Sequence, residues 1–150
     1  MMAGLQVRIK HGEKMIVNGA AIQFLSDANI RFTNKVRFIY GRQLMSPEEA
    51  TNTARRIYFN VQVAYIGEPD ERAPAMAEAR ILIDLFRAAT TSTMARHLLD
   101  RILAAVKDDR FDHALRAAMR LVSHEDELTE TLSPATASVE IPRTALTVQS

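Results

Sequence analysis

The fold class is decided by residues 5–25, which read LQVRIKHGEKMIVNGAAIQFL. Apolar and polar residues alternate from Leu5 to Lys10, a pattern typical of a half-buried β-strand. Gly12 falls in a predicted turn, and Asn18-Gly19 is the strongest short hairpin signal, because both residues tolerate positive φ angles. This stretch therefore predicts three short strands at 5–10, 15–17 and 20–25.

Two further strands are predicted downstream, at 30–33 and 36–40, on either side of Asn34-Lys35. Five short strands joined by tight turns indicate a small, strongly bent antiparallel sheet or barrel. The intervening residues 26–29 are predicted to form a loop.

A short helix is predicted to begin after Ser46. Ser46 can cap it, Pro47 suits the first helical position, and Glu49 completes a capping box. We expect this helix to end near Thr53. Residues 56–65 fit either a strand, favoured by their β-branched and aromatic residues, or a buried helix.

Beyond residue 67 the apolar residues recur at helical spacing, over 76–86, 94–106 and 111–122. Capping residues at 90–92 and 108–109 separate these segments, so two or three antiparallel helices are expected. From about residue 128 onward Thr, Ser, Ala and Pro dominate, which predicts a disordered tail.

The predicted fold is therefore α+β: a small N-terminal antiparallel sheet or barrel of about five strands, followed by an α-helical hairpin or three-helix C-terminal part. We divide the chain into three parts. These are a basic β-rich module at 1–66, an acidic helical module at 67–128 for packing, dimerisation or partner binding, and a tail at 129–150.

Composition argues against several classes of function. The 150 residues include no Cys, which excludes disulfides, thiolate nucleophiles and Cys-ligated metals. The four His lack zinc-ligand spacing, and the five Gly form neither a P-loop nor a dinucleotide fingerprint. No apolar run approaches 18 residues and the N-terminus has no signal pattern. We expect a cytoplasmic protein that is not an enzyme, does not contact membranes and needs no cofactor or metal.

The formal net charge of +1 conceals an uneven distribution. Residues 1–60 hold nine basic and four acidic side chains, whereas residues 61–150 hold ten basic and fourteen acidic ones. A basic N-terminal part joined to an acidic remainder predicts two surfaces with different partners.

Strand alternation assigns the basic side chains to a face. If Leu5, Val7 and Ile9 point inward, Arg8 and Lys10 point outward. By the same rule, inward Ile30 and Phe32 leave Arg31 outside, and inward Val36, Phe38 and Tyr40 leave Arg37 outside. The predicted surface consists of Arg8, Lys10, Arg31 and Arg37, with Lys35 and Arg42 at its rim.

Such a surface suits the phosphates of a nucleic acid, and Arg next to aromatic residues can stack on unpaired bases. The alternative is that these cations protect strand edges against aggregation, a common role for basic residues on exposed strands.

A family resemblance rests mainly on residues 44–59, which read LMSPEEATNTARRIYF. This run resembles the signature of the FlbT family of flagellum biosynthesis repressors. Two further stretches, KHGEKMIVNGA at 10–20 and RFDHALR at 110–116, are similar to other parts of that family. His11 and Thr53 stand where the family often has Pro, and both positions lie in predicted turns.

The resemblance implies a post-transcriptional repressor that binds flagellin mRNA at its 5′ untranslated leader, lowers translation and promotes decay. It also implies FlaF and flagellin as partners. The N-terminal strands are more weakly similar to carbon-storage-regulator RNA-binding proteins, which implies a homodimer. The alternative function is a protein-binding adaptor or chaperone of flagellar assembly, acting through FlaF or flagellin with an indirect effect on mRNA.

Two interpretations stay open for Arg55 and Arg56, which either bind RNA or pair with Glu48, Glu49 or the acidic C-terminal helices. The full set of predicted RNA-binding residues is Arg8, Lys10, Arg31, Lys35, Arg37, Arg42, Arg55 and Arg56.

Overall fold

A computed structural model describes residues 5–34 and 36–132, with the backbone alone at Arg42, Thr131 and Leu132. Five strands come first: β1 (Gln6–Ile9), β2 (Lys14–Val17), β3 (Ala20–Gln23), β4 (Ala28–Arg31) and β5 (Phe38–Tyr40). Four helices follow: α1 (Thr53–Ile66), α2 (Pro69–Ala89), α3 (Thr93–Lys107) and α4 (Phe111–Leu132). The predicted α+β class is confirmed.

The strands form two antiparallel sheets, one of β1 with β4 and one in the order β3-β2-β5. The β2–β3 hairpin turns at Asn18 and Gly19, whose φ angles are 50° and 88°, as their sequence predicts. β4 begins at Ala28, inside the predicted loop, because residues 28 and 29 pair with β1.

A small β core lies between the two sheets. Val7, Ile9 and Met15 are buried there, and the rings of Phe32 and Phe38 pack against it with centroids 4.5 Å apart. The predicted inward faces of β1 and β4 are thus confirmed. The predicted burial of Leu5 is wrong: it is 55% exposed, although its carbonyl still accepts a hydrogen bond from the Phe32 N–H at 2.9 Å.

The sheet β3-β2-β5 is covered on part of its second face as well, at β5 and at Ile16 of β2. Phe38 and Tyr40 pack on the β core, whereas Ile39, on the opposite side of β5, is 1% exposed. Its partner on β2, Ile16, lines a cleft with residues of α1. The predicted solvent exposure of the face that carries Arg37 is therefore wrong, because α1 covers that face.

The segment 46–66 is helical throughout most of its length. The predicted short helix is a single 3₁₀ turn, Pro47–Glu49, with the capping box between Ser46 and Glu49 in place. α1 then starts anew, because the side chain of Asn52 accepts a hydrogen bond from the backbone N–H of Arg55 at 2.8 Å. Residues 56–65, which fit a strand or a helix, form a helix.

The main core of the protein lies among the four helices. Its buried members are Ala54, Ile57, Tyr58, Val61, Ala79, Leu82, Ile83, Ala95, Leu98, Leu99, Ile102, Ala114, Ala117, Ala118, Leu121 and Val122. Because α1 contributes four of them, it packs as part of the helical core, although it precedes residue 67. α4 also continues to Leu132, into the predicted tail; residues 133–150 lie outside the described residues.

Gln62 joins the helical part to the segment that leaves the sheet. Its amide Nε2 donates to the carbonyl of Met45, and its Oε1 accepts from the Met45 N–H, both at 2.8 Å. Gln62 is 3% exposed and is the one buried polar side chain among the residues described. Nearby, the hydroxyl of Tyr58 donates to the carbonyl of Gln43 at 2.7 Å, and burial raises the pKa of Tyr58 to about 12.

We predict that Gln62→Glu strongly destabilises the protein. The carboxylate keeps the size of the amide but loses its donor, so it places a buried charge against the carbonyl of Met45. We expect the free energy of unfolding, measured by urea denaturation, to fall by about 2–4 kcal/mol.

The matched control is Gln43→Glu, the same change at an exposed position in the 3₁₀ turn Gly41–Gln43. It should alter the unfolding free energy by less than about 0.5 kcal/mol. Equal urea midpoints for the two variants would contradict the structural role assigned to Gln62.

Candidate nucleic-acid interface

Three predicted cations share the solvent-exposed face of the β1–β4 sheet. In the register, Arg8 lies opposite Asn29 and Arg31 lies opposite Gln6, so the two arginines are diagonal neighbours on one face. Such neighbours have Cα atoms roughly 7–8 Å apart. Lys10 continues the same alternation just beyond β1, and all three cations are exposed. The sequence prediction of their common face is confirmed.

These three side chains form no ion pair with any residue in the described part of the chain. The Glu13 carboxylate accepts a hydrogen bond from the backbone N–H of Lys10 at 2.9 Å. The nearest acidic position in the register is Asp27, next to Lys10 at the end of the sheet. Its carboxylate already accepts a hydrogen bond from the backbone N–H of His11 at 2.7 Å. The face consequently carries an excess of positive charge.

Arg37 lies elsewhere, at the junction of the sheet with the helices. Its guanidinium donates to the carbonyl of Tyr65 at 3.1 Å and lies 3.7 Å from a carboxylate oxygen of Asp109. It also lies 5.6 Å and 5.5 Å from the ring centroids of Tyr65 and Phe111. Burial raises the pKa of Tyr65, and the charge of Arg37 opposes that rise. The predicted grouping of Arg37 with Arg8 and Arg31 is therefore wrong.

Arg55 and Arg56 both face carboxylates of later helices. Arg55 makes a bidentate pair with Asp126 of α4, at 2.9 and 2.7 Å, and both side chains are about one-quarter exposed. Arg56 lies 3.6 Å from Glu78 of α2, with both side chains about half exposed. Both arginines therefore contact carboxylates of later helices, as one of their two interpretations expects.

Two predicted residues cannot be assigned to the interface. Lys35 lies outside the described residues, and Arg42 is described by its backbone alone, within a 3₁₀ turn at Gly41–Gln43. We define the cationic β face as Arg8, Lys10 and Arg31.

Sequence reasoning missed Gln62 altogether. The available signal was a single amide within the otherwise apolar run 61–66, VQVAYI, which is an unusual residue to bury without a specific partner. That partner, the backbone of Met45, could not be inferred because it depends on how the connecting segment packs on α1.

Neither a metal cluster nor a membrane span is found in the parts of the chain at 5–34 and 36–132. No three His, Asp or Glu side chains come together there as metal ligands. None of the described helices has the length and apolar character needed to cross a lipid bilayer.

Together, the fold and this surface define a class: a small α+β protein in which a four-helix core supports a β module with a cationic face. Comparison with known proteins identifies the family, because the profile described as "Flagellar protein FlbT" matches residues 5–129. The chain belongs to the FlbT family.

Several relatives are named probable flagellum biosynthesis repressor protein FlbT. The protein of Allorhizobium ampelinum is 29% identical over 141 residues, which cover 93% of each chain. That of Rhizobium etli (strain CIAT 652) is 30% identical over 129 residues, or 85% of each chain. That of Agrobacterium fabrum is 27% identical over 147 residues, covering 91% of this chain and 92% of its own. These names describe regulators of flagellar synthesis. No solved structure matches the chain.

We predict that Arg55 and Asp126 stabilise the fold as a coupled pair. In a double-mutant cycle of Arg55→Ala and Asp126→Ala, we expect a coupling energy of about 1 kcal/mol, since the pair is bidentate and partly buried. Urea denaturation of the four proteins measures it.

The same cycle on Arg56 and Glu78 serves as the comparison. That pair is longer and more exposed, so its coupling should stay below about 0.5 kcal/mol. A larger coupling energy for Arg56–Glu78 than for Arg55–Asp126 would show that pairing distance and burial do not determine the coupling energies of these two ion pairs.

Proposed function

We propose that this protein is a post-transcriptional repressor of flagellin synthesis that acts in the cytoplasm. In this proposal it binds the 5′ untranslated leader of flagellin mRNA, lowers translation and promotes decay of the message. It acts by binding and not by catalysis. The observation that carries the proposal is the cationic β face, whose three charges have no carboxylate partner among the described residues.

The positive charge of the cationic β face favours the binding of a polyanion. Arg8 and Arg31 are like charges at diagonal positions on neighbouring strands, so an anion bound between them would offset their repulsion. A phosphate backbone supplies that anion, and the release of its condensed counterions drives binding.

Base recognition is expected to come from the guanidinium planes of Arg8 and Arg31. The aromatic rings closest to the face in sequence, Phe32 and Phe38, pack against the β core and are only partly exposed. Planar guanidinium groups can stack on unpaired bases, which suits a single-stranded leader. The remaining arginines, Arg37, Arg55 and Arg56, are expected to contribute less because carboxylates already face them.

The alternative function, a protein-binding adaptor that grips FlaF or flagellin, has a different observation in its favour. α2 exposes Ile81 and Leu85, one helical turn apart, with 54% and 62% of their surfaces accessible. The stripes at 94–106 and 111–122, by contrast, supply much of the helical core and are not free to bind a partner helix.

A gel-shift experiment separates the two functions. We expect the purified full-length protein to shift a flagellin leader RNA at physiological salt without FlaF or flagellin, because the cationic β face needs no second protein. A shuffled RNA of the same length measures specificity. A leader that shifts only after FlaF or flagellin is added would favour the adaptor and overturn direct binding.

We further predict that the double variant Arg8→Glu, Arg31→Glu binds the leader at least about tenfold more weakly. The slope of log K against log salt should also become shallower by about 0.7 for each phosphate that the variant no longer neutralises. Filter binding between low and moderate salt measures both quantities.

The matched control is Arg80→Glu with Arg101→Glu, which makes the same change in net charge at exposed positions of α2 and α3. It should keep most of the affinity and the salt slope. Equal losses in the two double variants would mean that net charge, and not the cationic β face, determines binding. Circular dichroism confirms that both remain folded.

A further inference from the structure

Strand β3 forms an open edge of its sheet. Within residues 5–34 and 36–132 it pairs with β2 alone, and all four of its residues are exposed. The pairing continues one step past the strand, where the Phe24 N–H donates to the Glu13 carbonyl at 3.0 Å and the Phe24 carbonyl accepts from the Gly12 N–H at 2.7 Å.

The alternation of an antiparallel ladder fixes which backbone groups of β3 point outward. Phe24 bonds toward β2, and so do the backbone groups of Ile22 and Ala20, two and four residues earlier. The N–H and carbonyl groups of Ala21 and Gln23 therefore point away from β2, toward the open edge.

This edge strand lacks two of the usual protections against pairing with another strand. Folded proteins protect such edges with charged residues, Pro or a β-bulge. Residues 20–26 read AAIQFLS and contain neither a charge nor Pro. Apolar side chains also lie in the open: Ile22 is 40% exposed and Leu25, just past the strand, is 81% exposed.

We propose that β3 pairs antiparallel with β3 of a second copy of this chain, across a two-fold axis at Ile22. Ala21 of each copy then lies opposite Gln23 of the other, so the outward N–H and carbonyl groups of both residues bond in both copies. Ile22 meets Ile22 of the second copy in the non-hydrogen-bonded pair between them, where Cα atoms are about 4.5 Å apart and side chains are closest.

The lack of charge favours a second copy over a strand of a different protein, because a charged residue near the axis would lie beside its own copy and repel it. The outward groups of Ala21 and Gln23 flank Ile22, which is compatible with a two-fold axis there. Arg8 and Arg31 give the β1–β4 sheet such charges, so the same pairing is disfavoured there.

The size of this contact determines how stable the dimer should be. Two four-residue strands are expected to bury less than the roughly 1,200–2,000 Å² of stable specific interfaces. We therefore expect a reversible dimer whose fraction rises with protein concentration. This inference does not depend on the proposed RNA binding.

A disulfide cross-link tests the axis directly, because the chain has no Cys of its own. Under mild oxidation, full-length Ile22→Cys should convert mostly to a covalent dimer on a non-reducing gel, since Cys pairs well at about this Cα separation. Gln23→Cys is the control: its two copies are diagonal neighbours, roughly 7–8 Å apart, too far for a disulfide without backbone movement. A monomeric Ile22→Cys, or equal cross-linking of both variants, would overturn the proposal.

Sedimentation equilibrium of the full-length protein without added Cys gives a second test, because it measures the average mass in solution. The wild-type mass should rise toward twice the monomer mass with concentration, while Ile22→Lys should remain monomeric. Ile81→Lys, the same change at the exposed face of α2, should dimerise as the wild type does. A wild type that stays monomeric, or an Ile22→Lys that still dimerises, would refute self-pairing through β3.

Discussion

The arrangement of the protein depends on one constraint. The segment that leaves the sheet packs against α1, so its backbone N–H and carbonyl groups need hydrogen-bond partners there. Gln62 resolves this constraint by bonding both the N–H and the carbonyl of Met45 with one amide. Tyr58 satisfies the carbonyl of Gln43 in the same way. Both side chains come from α1, so the helix that completes the helical core also fixes where the β module attaches. In the described residues no buried side-chain polar atom lacks a partner.

Six of the nine cations in residues 1–60 form two groups with different physical roles. Arg37, Arg55 and Arg56 each face a carboxylate from a later helix or its flanking turn, so they connect parts of the fold. Arg8, Lys10 and Arg31 face solvent. This division explains how a chain of formal net charge +1 keeps a local excess of positive charge: the acidic helical part neutralises the cations at the junction and leaves those on the β1–β4 sheet free.

Much of the fold could be predicted from local pattern. The hairpin at Asn18-Gly19, the alternation in β1 and the helical spacing from residue 76 onward are signals that neighbouring residues supply, and each corresponds to an observed element. The segment 56–65 could not be settled in that way, because apolar and aromatic residues suit a buried strand and a buried helix alike. Its state depends on the cap at Asn52 and on the bundle against which it packs.

For the candidate site, the sequence by itself determined which side chains alternate outward along β1 and β4, and hence the common face of Arg8, Lys10 and Arg31. Only the tertiary structure decided that Arg37, which follows the same alternation rule before β5, is covered. Alternation fixes on which side of its own strand a residue lies. Whether solvent or a helix occupies that side depends on contacts between segments far apart in the chain, such as Arg37 with Tyr65 and Asp109.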